Sequence, residues 1–275
     1  MKIDKNSFAE LMLCDQVLHN WGRILGRIGE ICVPKAPDFS HLSFRWNQAT
    51  ESLEGPPFKS RRGDVFHAIN MSDEEIVFKF IHVASGDEID VISTDNTSYS
   101  VVMDLLEMSL DDLGIKNSNV SRKVEFKFPE LFSSEGLAPN ISMGMPLWKT
   151  LRGVANQACQ FMLDAMTQTS SILVWPTNFD TGIFCDHGKG ITQFAGFSPA
   201  DEKVNSVPYF YNSFYKNNQP VVPNAQEGLS NGYWESTKWA GAVLPVDTFE
   251  TTDTIQLIAQ EFLVESSRLL VEQSS

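Results

Sequence analysis

The sequence predicts an α+β protein of two similar halves, each a mostly antiparallel sheet packed with two helices. Each half opens on a long segment whose apolar residues recur with the 3.6-residue period of a helix. Several short segments with the two-residue period of a strand follow, and a second helical segment closes each half. This shared order suggests a duplicated unit of one helix, four strands and one helix.

The first half covers residues 1–130 and begins with a helix that ends before Pro34. Ser7 and Glu10 form a capping box at its start. Its apolar face consists of Leu11, Cys14, Leu18, Trp21, Leu25 and Ile28. Strands are predicted at 41–46, 64–69, 75–82 and 88–93, a helix at about 99–113, and a further strand around Val124, Phe126 and Phe128.

The second half covers residues 146–275 and follows a connection, residues 131–145, that is rich in Pro, Gly, Ser and Asn. Pro146 stands in the first turn of a predicted helix that continues to Ala165. Strands are predicted at 171–175, 181–185, 191–194, 207–215 and 241–245, and a last helix at 253–271. Because two similar layers side by side create a crevice, the seam between the halves is where we expect a ligand.

The charge balance excludes several classes of partner. The 275 residues include 21 Lys and Arg against 35 Asp and Glu, a net charge of −14. A field of this sign repels phosphate backbones and anionic lipid head groups, so we expect no nucleic-acid partner. Apolar stretches stay below the length of about 18 residues that a membrane span needs. We therefore expect no membrane partner.

The start of the chain and its cysteines indicate a cytoplasmic protein. The first residues carry charges of both signs and lack the apolar core of a secretory signal. The cysteines are sparse and do not fall at the spacing of a zinc site. We interpret them as reduced thiols; they are Cys14, Cys32, Cys159 and Cys185.

The motifs that are typical of catalytic sites are incomplete in this sequence. Residues 228–232 match the GxSxG pattern, but a hydrolase of that type needs a histidine after the serine, and the last histidine, His187, precedes Ser230. The histidines never occur at metal-ligand spacing. His67 and His82 lie in adjacent predicted strands, where either a shared metal or ordinary core and surface positions would suit them. We assign no catalytic residue, no metal and no cofactor, and leave open whether the protein is an enzyme.

One stretch carries a binding hypothesis. Trp175, Asn178 and Asp180 directly follow the apolar residues 172–174, so a ring, an amide and a carboxylate stand at the end of a predicted strand. Turn chemistry would explain the same residues. Aromatic residues are dense at 209–215 and 233–239, where they would line a ligand cleft, form a protein-binding patch or fill a core. The candidate ligand-binding residues are Trp175, Asn178, Asp180, Tyr209, Tyr211 and Trp234.

Several motifs resemble a family of bacterial proteins of about this length that has no assigned function. The stretch 175–180 resembles the family's Trp-Gly-Ser-Phe-Asp, and 192–196 resembles its Thr-Arg-Phe-Ser-Gly. Similar segments are found at 25–27, 34, 40–42, 113–115, 210–213 and 243–247. A Ser-His-Glu segment of the family has no counterpart between Gly196 and Tyr209. The resemblance therefore implies a fold and no reaction.

These observations favour a small-molecule site at the seam, with or without catalysis. The candidate residues named above and neighbouring aromatic rings would line it. The alternative hypothesis is a non-enzymatic interaction module whose exposed aromatic segment, 207–215, docks on a protein partner. A second copy of the chain, giving a homodimer, is a further candidate partner.

Overall fold

A computed structural model describes residues 5–72, 75–116, 120, 136–221, 228–249, 251–252 and 254–274. These residues form four α-helices and two sheets whose described strand pairings are antiparallel, which confirms the α+β class and the two sheet-containing halves. None of the described helices combines the length and the apolar character that crossing a membrane requires. The predicted strand at 124–128 lies outside the described residues.

The chain divides into two compact units. We call the unit made of Leu13–Pro146 and Val174–Phe179 the N-terminal unit. The C-terminal unit is made of Met1–Met12, Leu147–Leu173 and Asp180–Ser275. Each unit is described by itself below.

The N-terminal unit contains a sheet of six strands in the order β1-β2-β4-β5-β6, with β3 paired to β4. Its elements are α1 (Lys5–Cys32) from Leu13 onward, a 3-10 turn (Ser40–Leu42), β1 (Arg45–Asn47), β2 (Ser52–Glu54), β3 (Phe58–Ser60), β4 (Gly63–Met71), β5 (Ile76–His82), β6 (Glu88–Ser93) and α2 (Tyr99–Asp112). The sequence predicted β4, β5, β6 and α2 closely. The strand predicted at 41–46 is wrong over its first part, because Ser40–Leu42 form the 3-10 turn and pairing with β2 starts at Arg45.

Trp21 on α1 organises the core of this unit. Its indole is fully buried, stacks on the ring of Tyr99 at 4.0 Å between ring centroids, and meets Phe78 edge-on at 5.6 Å. These contacts join α1 to β5 and to the first turn of α2. Burial of an aromatic side chain with such ring contacts is a large stabilising contribution. The apolar face predicted for the first helix is therefore the face that packs.

A tight turn at 175–179 is held in the same unit by an unusual backbone conformation. The amide of Phe179 donates to the carbonyl of Trp175 at 2.8 Å, and Phe179 itself has a left-handed φ of 59°. Its buried ring lies parallel to His19 with centroids 5.0 Å apart, while His19 Nε2 lies 2.9 Å from the Pro176 carbonyl oxygen. A bulky residue with positive φ is strained, so these contacts must outweigh that strain.

Substitution of Gly22 by Ala tests how closely this turn packs on α1. A Cβ at Gly22 would lie 2.9 Å from Cε2 of Phe179. Gly-to-Ala inside a helix normally stabilises, but here we expect a loss of about 1–3 kcal/mol because the ring has to move. Gly228→Ala, where an added Cβ meets open space, is the control. Chemical denaturation measures both, and a stabilised Gly22→Ala variant would contradict the packing.

His67 on β4 is a neutral, buried histidine. Its side chain is 1% exposed, and its Nε2 lies 3.0 Å from the carbonyl oxygen of Leu25 on α1. A Cβ at Gly55 would overlap the imidazole ring. Burial lowers the pKa of His67 to about 4, and the bond to Leu25 only partly opposes that effect.

The free energy of unfolding is expected to depend on this histidine between pH 6.5 and 4. The unfolded chain binds a proton on His67 near pH 6.5 and the folded chain near pH 4, so stability is highest above this window and falls as the pH drops through it. The full effect is roughly 3 kcal/mol. Urea unfolding at pH 7 and pH 4.5 should show a smaller change for His67→Asn than for the parent chain. His82→Asn is the control for losing a histidine from this sheet, and equal pH dependence in all three proteins would exclude this role.

The second sheet has the order β12-β13-β10-β9-β8-β7, with β11 paired to β10, and all of it except Val174 and Trp175 of β7 belongs to the C-terminal unit. Its elements are α3 (Met145–Ala165), β7 (Leu173–Trp175), β8 (Asp180–Gly188), β9 (Ile191–Ser198), β10 (Tyr209–Lys216), β11 (Gln219–Pro220), β12 (Tyr233–Glu235), β13 (Gly241–Pro245), a 3-10 turn (Val246–Thr248) and α4 (Ile255–Ser274). The longer strands and both helices lie where the sequence predicted them. β11 and β12 were not predicted, because two or three residues give no period to recognise.

The sheet has two chemically different faces. Phe210, Asn212 and Phe214 alternate along β10 with Tyr209, Tyr211, Ser213 and Tyr215, so the two sets point to opposite sides. Asn212 bonds to α4, and we call its side the helix face. We call the side of Tyr211 the tyrosine face.

A buried network of amides and hydroxyls fixes α4 on the helix face. The Nδ2 group of Asn212 donates to Ser266 Oγ at 2.9 Å and to Ser267 Oγ at 2.8 Å. Gln193 on β9 donates to Asn212 Oδ1 at 3.0 Å and to Ser267 Oγ at 2.8 Å, while its Oε1 lies 2.8 Å from His187 Nε2. Because buried polar groups are costly without partners, this network specifies one position of α4 on the sheet.

Candidate functional site

Two glycines in one row of the sheet leave space for a large ring on the tyrosine face. In the strand register Tyr211 on β10 stands opposite Gly196 on β9, which stands opposite Gly182 on β8. Partners in one row point to the same side of a sheet. A Cβ on Gly182 would lie 2.6 Å from the hydroxyl oxygen of Tyr211, and one on Gly196 would lie 2.6 Å from the Cα of Gly182. The Tyr211 hydroxyl group therefore reaches β8 across positions where a side chain would collide.

The Tyr211 hydroxyl group contacts Asp180, the first residue of β8. It donates a hydrogen bond to Asp180 Oδ2 at 2.5 Å, and the Asp180 side chain is almost fully buried. Burial raises the pKa of Asp180, while the bond from Tyr211 and the positive charge of Arg152 act in the opposite direction. Burial and the neighbouring carboxylate raise the pKa of Tyr211 well above its usual value. The phenol therefore keeps its proton and serves as a donor.

A second phenol–carboxyl pair lies beside the first. Tyr209 donates from its hydroxyl group to Asp201 Oδ2 at 2.6 Å. The rings of Tyr209 and Tyr211 are 6.4 Å apart between centroids, and the indole of Trp239 meets Tyr211 edge-on at 6.2 Å. We call these five residues, Asp180, Asp201, Tyr209, Tyr211 and Trp239, the Tyr–Asp cluster.

Arg152 on α3 supports Asp180 from the helix face. Its fully buried guanidinium donates from Nη1 to Thr181 Oγ1 at 2.9 Å. It also lies 4.9 Å from the centroid of the Trp148 ring and 5.6 Å from that of Phe197. Cation–π contacts of this kind stabilise a guanidinium that is withdrawn from water. The charge of Arg152 therefore acts on Asp180 electrostatically while its side chain stays on the opposite side of the sheet.

Three of the sequence-predicted site residues lie together in this cluster: Asp180, Tyr209 and Tyr211. Trp234 does not, because it pairs with Ala242, which pairs with Asn212, so the register puts Trp234 on the helix side. Trp175 and Asn178 belong to the N-terminal unit, where Trp175 accepts the turn hydrogen bond from Phe179 and Asn178 is exposed. The location of a ligand at the seam stays a prediction.

Sequence reasoning missed two residues of the site, Asp201 and Arg152. Asp201 lies eight residues before Tyr209 in an irregular segment, and its sequence surroundings carry no motif. Arg152 lies in a predicted helix, where its burial depends on which rings surround it. Trp239 stood in the aromatic cluster that the sequence analysis noted, and only the fold shows that it touches Tyr211.

The other motifs have structural roles. The amide and hydroxyl groups of Ser230, in the GxSxG match, both bond to the carboxylate of Glu265 on α4. His67 and His82 are diagonal neighbours across β4 and β5, with His67 Nε2 at the Leu25 carbonyl and His82 Nδ1 3.3 Å from Ser85 Oγ. In the part of the chain that the structure describes, no group of three or more His, Cys, Asp or Glu side chains is arranged to hold a metal ion.

Comparison of the chain with protein-family models, with curated proteins and with solved structures finds no match. The resemblance to a bacterial family stays a prediction. Function is therefore argued from the residues of the Tyr–Asp cluster themselves.

A double-mutant cycle tests the Asp180–Tyr211 bond. We expect Tyr211→Phe and Asp180→Asn to be coupled by about 1–3 kcal/mol in the free energy of unfolding, because the bond is short and buried. The matched cycle with Tyr209→Phe and Asp201→Asn should give a smaller coupling, since the Asp201 side chain is partly open to water. Coupling near zero at Asp180–Tyr211 would show that the two groups do not interact in solution.

Proposed function

We propose that this protein binds a small polar molecule at the Tyr–Asp cluster. One observation carries the proposal: a buried carboxyl group, Asp180, is fixed by the phenol of Tyr211 on a sheet face that also carries Tyr209 and Trp239. Ligand sites are typically lined by aromatic and apolar side chains and contain a few fixed polar groups.

The energetics of the cluster support a binding role. Burying a carboxyl group costs free energy unless hydrogen bonds and charges compensate. An apolar side chain at Asp180 would avoid that cost, whereas this chain uses Tyr211 and Arg152 to keep a carboxyl group there. Polar groups held in fixed positions by their neighbours are prepared to recognise a ligand without reorganising.

The exposure of the cluster residues also allows contact with a ligand from solvent. Tyr211, Asp201 and Trp239 are each partly exposed, while Asp180 and Tyr209 are buried behind them. A ligand approaching from solvent would meet the side chains of Tyr211 and Trp239 first and would hydrogen-bond to the carboxyl oxygens of the cluster. No reaction is assigned, because binding is the chemistry that these groups support by themselves.

The alternative of a protein-interaction module using residues 207–215 has less support. Phe210 and Phe214 are fully buried, and Tyr209 is 4% exposed. Asn212 is bonded into the network beneath α4. Little of this segment is thus left for a protein partner, so we keep small-molecule binding as the proposal.

Ligand-observed NMR with simple probes tests the proposal. The probes are choline, glucose, acetate, imidazole and benzyl alcohol, each at about 10 mM so that millimolar affinity is detected. We expect at least one probe to bind the parent chain and to lose binding in Asp180→Asn and Tyr211→Phe, because both variants break the fixed pair. Asp186→Asn and Tyr215→Phe, the same changes on the same strands, are the controls.

Two outcomes would overturn the proposal. One is that none of the probes binds the folded parent chain. The other is that bound probes keep their affinity in Asp180→Asn and Tyr211→Phe. Circular dichroism and the melting temperature of each variant show whether a loss of binding reflects a loss of fold.

A further inference from the structure

We propose that Asn231 and Gly232 form a site of spontaneous chemical modification, at which the asparagine loses ammonia and becomes aspartate or isoaspartate. The two residues belong to the GxSxG match at 228–232 and stand immediately before β12. They are the one Asn–Gly pair in the sequence. Two features of the structure carry the proposal: the fold requires the glycine, and the two groups that would react make no hydrogen bonds.

The fold requires glycine at position 232. Its φ is 80°, a left-handed conformation that residues with a side chain rarely adopt. A Cβ at this position would lie 2.4 Å from the carbonyl oxygen of Val243 and 3.1 Å from Cε2 of Phe262. Asn231 is therefore followed by the residue that least obstructs attack on the asparagine side chain, because glycine has no Cβ beside its amide nitrogen.

The two groups that would react are not held by hydrogen bonds. Among the described residues, neither the Gly232 amide nor the Asn231 carboxamide has a hydrogen-bond partner, and Asn231 is partly exposed to water. The side chains of Asn47, Asn140 and Asn205 differ, because each accepts a hydrogen bond from the backbone amide two residues later. That bond fixes a carboxamide in a turn, whereas the Asn231 side chain can rotate toward Gly232.

The reaction needs water as its only co-reactant. The amide nitrogen of Gly232 loses its proton and bonds to Cγ of Asn231; the bond from Cγ to the side-chain nitrogen breaks, and that nitrogen takes up the proton and leaves as ammonia. Water then opens the resulting cyclic imide at one of its two carbonyl carbons. Opening at Cγ gives aspartate. Opening at the backbone carbonyl gives isoaspartate, whose main chain runs through the former side chain, and neither product differs from asparagine in oxidation state.

Formation of isoaspartate releases β12 from the sheet. On one side of the site, the amide and hydroxyl groups of Ser230 bond to the carboxylate of Glu265 at 3.0 and 2.8 Å. On the other side, Tyr233 pairs with Val243 of β13. Isoaspartate lengthens the main chain between these two attachments by one methylene group and adds a carboxylate next to the residue that binds Glu265. We therefore expect pairing of β12, an edge strand of 3 residues, to be lost.

Peptide mapping by mass spectrometry tests the modification. The full chain is incubated in mildly alkaline and in mildly acidic heavy-oxygen water and then digested with trypsin, which releases Asn231 in the same peptide as Asn217 and Asn218. We expect Asn231 to convert at least about tenfold faster than either of these, and faster in the alkaline buffer. Isoaspartate and aspartate should both carry one heavy oxygen atom from water. Asn231→Gln, whose longer side chain does not close this ring, is the control and should stay unmodified.

Hydrogen exchange tests the release of β12. The isoaspartate form, separated by chromatography, should lose protection at the amides of Tyr233–Glu235 while those of β9 stay protected. Asn231→Asp adds the charge without lengthening the main chain, so it should lose less protection. An Asn231 that stays intact, or that converts no faster than Asn217, would show that the proposed site is wrong. Aspartate without isoaspartate would exclude the ring mechanism, and full protection of β12 in the isoaspartate form would exclude its release.

Discussion

The hydroxyl group of Tyr211 can reach Asp180 because Gly196 and Gly182 carry no side chain in its row of the sheet. A Cβ on Gly182 would occupy the space of that hydroxyl group, and one on Gly196 would collide with the neighbouring strand. The buried hydrogen bond follows from this arrangement, and Tyr209 and Trp239 lie beside it. The cluster is thus defined by strand register, with its residues drawn from two strands and two connecting segments.

The C-terminal sheet uses its two faces for different purposes. On the helix face, Gln193, Asn212 and the two serines of α4 satisfy one another in a closed network. On the tyrosine face, the polar groups are carboxyl–phenol pairs next to partly exposed rings. Both faces bury polar atoms, and the second combines them with partly exposed aromatic rings. This difference is why we place binding on the tyrosine face and stability on the other.

The sequence predicted the fold well where periodicity extends over many residues. The helical stripe from Leu11 to Ile28 and the alternation along β5 each contain enough residues to fix the element type. Strands of two or three residues, such as β2, β11 and β12, contain less than one useful repeat and were missed. They exist because longer neighbours offer backbone hydrogen bonds, which is a tertiary effect.

The site was predictable only in part for a related reason. Asp180, Tyr209 and Tyr211 stand out as polar or aromatic residues at strand positions. Trp234 looked equally suitable, but a one-residue difference in register places Tyr233 in the row of Tyr211 instead. Asp201 and Arg152 meet their partners through contacts between distant parts of the chain, and no local pattern contains that information.

The two serines on α4 also determine which helical segment can pack on the sheet. Ser266 and Ser267 receive the Asn212 amide and return their own protons to carbonyl groups of the helix, Phe262 and Leu263. An apolar helix of equal length would leave the buried Asn212 amide without these two hydrogen-bond acceptors, so it could not replace α4 without a loss of stability.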